Sequence, residues 1–321
     1  MIKRIFAFLL VAMAALSIQA KSYDNPDTIV VAKDGTGEFR SIAEAVEVCR
    51  AFMTYHKVIY VKNGVYKEKL VIPSWLTNIE ICGENRDNTV ITWDDHANIS
   101  HADLPGETKK IGTFRTYTLK VEGQDITLKN VTVENNSPRL GQAVALHTEG
   151  DRLKCINCRF LGHQDTVYTG VAGTRILFKD CYIEGTTDFI FGPSTVWFEN
   201  CDIFCKVNSY ITAASTPEDI QIGYVFNNCH ITTASEVTKM YLGRAWRDYA
   251  YTVFMNCDLP ATIAPEGWVD WKKPHDRIRY AEYNNRGAGA KTDGRADWTR
   301  QLTKKEAERL TVKSVLGTWA E

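Results

Sequence analysis

Several features that would point to familiar protein classes are missing from this 321-residue sequence. Beyond its first twenty residues it has no apolar run of the roughly 20 residues needed to span a bilayer. It lacks a basic surplus: 38 Lys and Arg against 39 Asp and Glu leave a formal charge of −1, so nucleic acid is disfavoured as a partner. There is no Gly-x-Ser-x-Gly elbow, which argues against a serine hydrolase of that type. The single Cys-x-x-Cys, from Cys155 to Cys158, has no second copy, and a zinc site is set aside. No cluster of aspartates supplies the oxygen ligands that calcium would require.

What is present begins with a short leader pattern. Lys3 and Arg4 precede an apolar stretch from Ile5 to Leu16, and Ala20 closes a polar segment. This is the layout of a secretory signal peptide over residues 1–20; a membrane anchor is the alternative, for which the run is short. Residues 21–321 then form a single domain, exported to the periplasm or the extracellular space and free of the membrane. Removing Lys3 and Arg4 takes the charge from −1 to −3. An acidic polymer could still be held, because a groove's local arginines matter more than the net charge.

The nine cysteines, an odd number, leave at least one unpaired. They also reveal a repeat. Asn157-Cys158-Arg159-Phe160, Asp180-Cys181-Tyr182-Ile183, Asn200-Cys201-Asp202-Ile203, Asn228-Cys229-His230-Ile231 and Asn256-Cys257-Asp258-Leu259 share one pattern, and Asn130-Val131-Thr132-Val133 fits it with Val for Cys. From position 131 the steps are 27, 23, 20, 28 and 28 residues. Short strands bounded by Gly, Asn and Asp at such a period predict an all-β solenoid, a parallel β-helix with one coil per unit. Adjacent coils should lie about 4.8 Å apart. The repeated cysteines and the apolar residues two positions later should point inward as small hydrophobes. Cys181 and Cys201, on successive coils, could form a disulfide. Capping boxes at Ser41/Glu44 and Thr303/Glu306 predict a helix closing each end of the stack.

The repeat gives meaning to the polar pair that opens the run "QDTVYT". Asp165 lies seven residues after Cys158, and Asp188 lies seven after Cys181, so both fall in one slot on consecutive coils. Two carboxylates one strand spacing apart resist joint ionisation, so one should titrate high and the other low. Such a pair suits one group as an acid and the other as a nucleophile or base. A stack of Asx turns is the structural alternative, and Asn208, seven after Cys201, would extend it. Gln164 lies 22 residues after Gln142, close to one coil length, which predicts an amide ladder beside the carboxylates.

Six segments in order resemble the pectin methylesterases, or pectinesterases: "GTGEFRSIAEAV" (35–46), "GQAVAL" (141–146), "GHQDTVYT" (162–169), "GTTDFIFG" (185–192), "YLGRAW" (241–246) and "APEGWVDW" (264–271). They span almost all of residues 21–321. The resemblance implies a right-handed parallel β-helix that hydrolyses galacturonate methyl esters of pectin without a metal or other cofactor. It implies Asp188 as the nucleophile, Asp165 as the acid and then the base, and Gln142 and Gln164 as amide donors to the oxyanion. Arg244 would pair with Asp188 and recognise the uronate, keeping Asp188 ionised. Trp246 and Phe191 fit sugar-stacking positions, with Tyr168 a further candidate; Phe189 and Phe191 alternate, so one should face the core and the other the groove. His163 reads as a turn residue and Arg247 as a surface or groove charge. The family usually has Pro where this chain has Ala245, which predicts a looser turn between Arg244 and Trp246. The expected partner is methyl-esterified homogalacturonan, bound by a monomer. A pectin-cleaving glycosidase, a calcium-dependent lyase and a catalytically inert polysaccharide-binding β-helix are the rival readings on the same fold.

Overall fold

The computed structural model describes residues 21–100 and 109–321, so residues 1–20, where a signal peptide is expected, lie outside the described residues. The chain winds into a parallel β-helix whose coils contribute strands to three stacked sheets of 11, 8 and 7 strands. The strands of the three sheets pair in parallel throughout; for example, Arg175–Lys179 pairs with Thr195–Glu199, which pairs with Tyr224–Asn227 and then Tyr251–Met255. Among the described helices none is long and apolar enough to cross a membrane.

The Asn/Asp that precedes each repeated cysteine has a conformational cause. Asn130, Asn157, Asp180, Asn200, Asn228, Asn256 and Asn284 all have φ between 50° and 56°. Asn and Asp tolerate this left-handed region better than other side-chain-bearing residues, and here they turn the chain out of one sheet into the next. Some are also bonded from coil to coil: Asn157 Nδ2 donates to Asn130 Oδ1 (2.8 Å), and Asn284 Nδ2 to Asn256 Oδ1 (2.8 Å).

Inside the corner the cysteines form a buried column. Cys158, Cys181, Cys201, Cys229 and Cys257 are at most 1% exposed, and each Sγ–H reaches the carbonyl two residues earlier at 3.3–3.5 Å. All nine cysteines are free, so the Cys181–Cys201 disulfide is not formed. Cys155 is also explained. It pairs with Phe178, the first of a column Phe178, Phe198, Phe226 and Phe254 whose rings stack at 5.0, 4.2 and 4.2 Å, so it fills the phenylalanine slot of the preceding coil.

At the N-terminal end the predicted helix forms at Ile42–Glu47, with both bonds of the Ser41/Glu44 box, and buries Ile42, Ala45 and Val46. The C-terminal expectation needs correction. Lys304–Ala307 and a second short helix, Val312–Leu316, both have capping boxes, but they do not lie across the end of the stack. Val315, Leu316 and Ala320 instead fold back on the outer face of the 11-stranded sheet, over Leu177, Trp197, Val225 and Val253, which presents an apolar surface of its own. Trp298 packs against the core near Tyr280 instead. With no disulfide in place, unfolding the protein without reductant should expose nine thiols to a colorimetric thiol reagent; a count of seven or fewer would contradict the cysteine column.

Candidate active site

The 8-stranded sheet carries the site on its outer face. Val167 pairs with Ile190 and Tyr168 with Phe191, so two residues earlier Asp165 and Asp188 stand one above the other. Asp188 N–H donates to Tyr210 O (2.9 Å) and Asp165 N–H to Thr187 O (3.1 Å), which continues the ladder through the pair. Both aspartates have left-handed backbones, φ 69° and 50°. The slot does not continue to Asn208. Thr212 pairs with Ile190, which puts Tyr210 opposite Asp188, and the loop after Cys201 is two residues longer than the count assumed. Asn208 is exposed and its Oδ1 accepts from the backbone of Thr238 and Lys239.

Asp165 and Asp188 are 8% and 6% exposed and open onto a cleft of about 290 Å³. Arg244 binds Asp188 with two prongs, Nε to Oδ1 at 2.9 Å and Nη2 to Oδ2 at 2.5 Å. It approaches from two coils away. Gly243 permits this, since a Cβ there would collide with Thr212 Oγ1, and small Ala213 leaves the intervening space open. Burial pushes the Asp165 carboxyl well above the ordinary carboxylate range, the charge of Asp188 pushes it further, and Arg244 only partly opposes them. Burial also raises Asp188, and Arg244's bonds and charge pull it back. The expectation of one high and one low value is therefore corrected: both are raised, Asp188 the less because the guanidinium is bonded to it.

Gln142 and Gln164 line the same cleft. Their backbones are fixed, since Ala97 N–H donates to Gln142 O (2.8 Å) and Ala143 N–H to Gln164 O (3.0 Å). Neither side-chain amide is bonded to the other or to any described residue, so the expected ladder is absent and both remain free to donate into the cleft. Phe191 and Trp246 also line it, 5.9 Å apart between ring centroids. Phe189 is fully buried in the core, and Phe191 packs with Val144, Ala213, Tyr168 and Trp246 outside it. Tyr168 stands beside the cleft, stacked on Phe191 at 4.7 Å. His163 lies outside the lining; its carbonyl accepts from Thr186 N–H, and burial together with Lys206 and Arg139 lowers its imidazole to about 4. Exposed Arg247 stacks over Trp246 at 4.7 Å.

Ala245 does not loosen its turn. It is fully buried, and its N–H donates to Val269 O at 3.1 Å, a bond that proline could not make. Sequence reasoning missed Thr113, Phe114 and Trp271, all in the cleft wall. Phe114 sits in a short 3-10 turn, Thr113–Arg115, without periodic signal. Trp271 lies within the quoted segment 264–271, yet only its contact with Arg244 reveals its place: the guanidinium carbon is 3.7 Å from its ring centroid. Among the described residues no group of His, Cys, Asp or Glu is arranged to hold a metal.

Removing Arg244 leaves a buried carboxylate without its counter-ion. Arg244→Ala should cost about 3 kcal/mol in urea unfolding. Adding Asp188→Asn should restore part of that loss, because an amide needs no partner charge.

Comparison with known proteins identifies the family and agrees with the fold. The Pectinesterase family model matches residues 28–318. A Brassica napus protein described as a probable pectinesterase/pectinesterase inhibitor is 37% identical over 306 residues, 90% of this chain and 51% of its own. The chain thus spans about half the length of the first curated relatives it matches. Pectinesterase 31 of Arabidopsis thaliana is 36% identical over 281 residues, covering 86% of this chain and 88% of its own. The solved pectin methylesterase from carrot superposes with a TM-score of 0.82 at 31% identity, over 92% of this chain and 95% of that one. A β-helix with the Asp165/Asp188 slot, matched along nearly its whole described length, belongs to the pectinesterase family.

Proposed function

We propose that the protein hydrolyses methyl esters on the galacturonate units of pectin, releasing methanol and leaving the polymer de-esterified. The observation that carries this reading is the asymmetry of the aspartate pair: two buried, in-register carboxylates, of which only Asp188 is held by a guanidinium. Asp188, kept ionised by Arg244, attacks the ester carbonyl carbon. The resulting oxyanion takes hydrogen bonds from the free amides of Gln142 and Gln164, each such donor typically worth about 2.7–4 kcal/mol. Asp165 gives its proton to the departing methoxide as the tetrahedral centre collapses to an acyl-enzyme. Asp165, now a carboxylate, takes a proton from water as its oxygen attacks the acyl carbon, and the second collapse frees Asp188 and the uronate.

Phe191 and Trp246 offer ring faces for the pyranose units on either side, with Tyr168 extending the strip. Every step uses side chains alone, and no metal or cofactor enters it. The working form is a monomer acting on methyl-esterified homogalacturonan, after export to the periplasm or beyond, away from membrane and nucleic acid. Membership of the family and the likeness to carrot pectin methylesterase support the choice of esterase over a glycosidase.

Highly methylated pectin should release methanol without shortening of the chain, equally with and without chelator; depolymerisation, or loss of activity in EDTA, would favour the glycosidase or the lyase. Asp188→Asn should abolish release, and Asp165→Asn should collapse turnover while pectin binding persists. The pH profile follows from the two carboxyls. Below the Asp188 value the nucleophile is protonated, and above the Asp165 value the acid is lost. Because burial raises both, kcat/KM should fall on the acid side at a pH above that of an ordinary aspartate, and the alkaline limb should lie higher still.

A further inference from the structure

The Arg244 guanidinium is held by more than Asp188. Its carbon lies 3.7 Å from the Trp271 ring centroid and 4.4 Å from that of Tyr210. Tyr210 in turn stacks on Tyr241 at 5.4 Å and 22°, and Lys239 Nζ lies 5.2 Å over Tyr241. Tyr210 and Tyr241 are register partners and continue the slot of Asp165 and Asp188 along the sheet. Tyr210 is therefore tied to the nucleophile twice, through the carbonyl that accepts Asp188 N–H and through the guanidinium bonded to its carboxylate. It is absent from the cleft wall, whereas Trp271 is part of it.

We propose that Tyr210 is a positioning residue for Asp188, acting through Arg244: its ring face fixes the guanidinium plane so that both N–H prongs stay on the carboxylate. An arginine side chain reaching across two coils has several rotatable bonds, and a two-pronged ion pair demands one orientation of its plane. A flat aromatic surface supplies that orientation and attracts the cation. Trp271 adds a second ring against the guanidinium, from a segment whose backbone is left-handed at both Trp271 and Lys272, φ 49° and 61°. The charged and titratable groups facing Asp188 are Arg244 and Asp165, with the buried Tyr280 phenol sensing the same charge from the interior. With the Tyr210 ring gone only Trp271 still holds the guanidinium plane, so Arg244 leaves its two-pronged pose more often and Asp188, less well countered, binds its proton more tightly.

The inference rests on the reading of Asp188 as nucleophile, and its test separates the two. Tyr210→Leu keeps bulk without a π face, and Tyr210→Phe keeps the face without the hydroxyl. Tyr210→Leu should lower kcat about 10- to 100-fold, the scale of a small misplacement of a reacting group. It should also move the acid limb of kcat/KM up by about one pH unit, the size of shift one lost partner charge produces. Tyr210→Phe should restore both. Carbon-13 titration of the Asp188 carboxyl, assigned with Asp188→Asn, should show the same upward shift in the leucine variant. An unmoved Asp188 titration in Tyr210→Leu, or a phenylalanine variant as impaired as the leucine one, would overturn the proposal. If the native enzyme releases no methanol, the esterase reading fails, while the titration still decides whether Tyr210 holds Arg244 on Asp188.

Discussion

The left-handed corner repeated once per coil is the constraint on which the rest of this molecule depends. Each coil must leave one sheet and enter the next at the same place, and from Asn130 to Asn284 it does so with φ held between 50° and 56°. Most L-residues pay for that region, but Asn and Asp, with short side chains that bond locally, occupy it more readily. A corner at constant phase brings everything after it into phase as well. The cysteines fall on one column, and the apolar residues two positions later, Phe160, Ile183, Ile203, Ile231 and Leu259, all fall in the core. The phenylalanines three residues before Cys181, Cys201, Cys229 and Cys257 stack face to face.

The carboxylate pair uses the same permission a second time. Asp165 and Asp188 also take positive φ, at the point where the chain enters the 8-stranded sheet. The structural and chemical readings of these aspartates are therefore not rivals. Aspartate suits the turn because its backbone can adopt it, and parallel stacking then sets two such turns one strand spacing apart. Burial supplies the chemistry. A pair of exposed carboxylates at that spacing would be screened by water, whereas in the cleft both resist ionisation, and a single guanidinium decides between them.

The sequence showed what the period controls and hid what it does not. Counting seven residues from Cys158 and Cys181 found the pair because those two connections have equal length. The same count from Cys201 reached Asn208 and failed, since that connection is longer by two and brings Tyr210 into register. Cys155 has a metal-like spacing to Cys158 that the missing second motif already discounted, but only strand pairing, which sets it opposite Phe178, shows what it does instead. Capping boxes located the C-terminal helices but carried no information about the face on which they dock; that was set by Trp197 and its neighbours on an outer sheet surface where polar residues are the norm. Phe114 and Trp271 come from connections of irregular length, where no alternation marks which side chains turn toward the cleft.

Ala245 shows how a departure from a family pattern can be compensated by the backbone. The strand Tyr241–Arg244 sits near the edge of its sheet, where Gly243 and Arg244 pair with Trp268 and Val269. Ala245 adds one more rung by donating its N–H to Val269 O. That rung ties the strand bearing Arg244 to the segment that, two residues on from Val269, carries Trp271 over the guanidinium. A proline would stiffen the turn by fixing φ but would remove the donor. Alanine gives up that stiffness and gains a bond between the arginine's strand and its aromatic cover. The position of Arg244 over Asp188 is thus fixed from both ends, by the backbone at its base and by two ring faces at its tip.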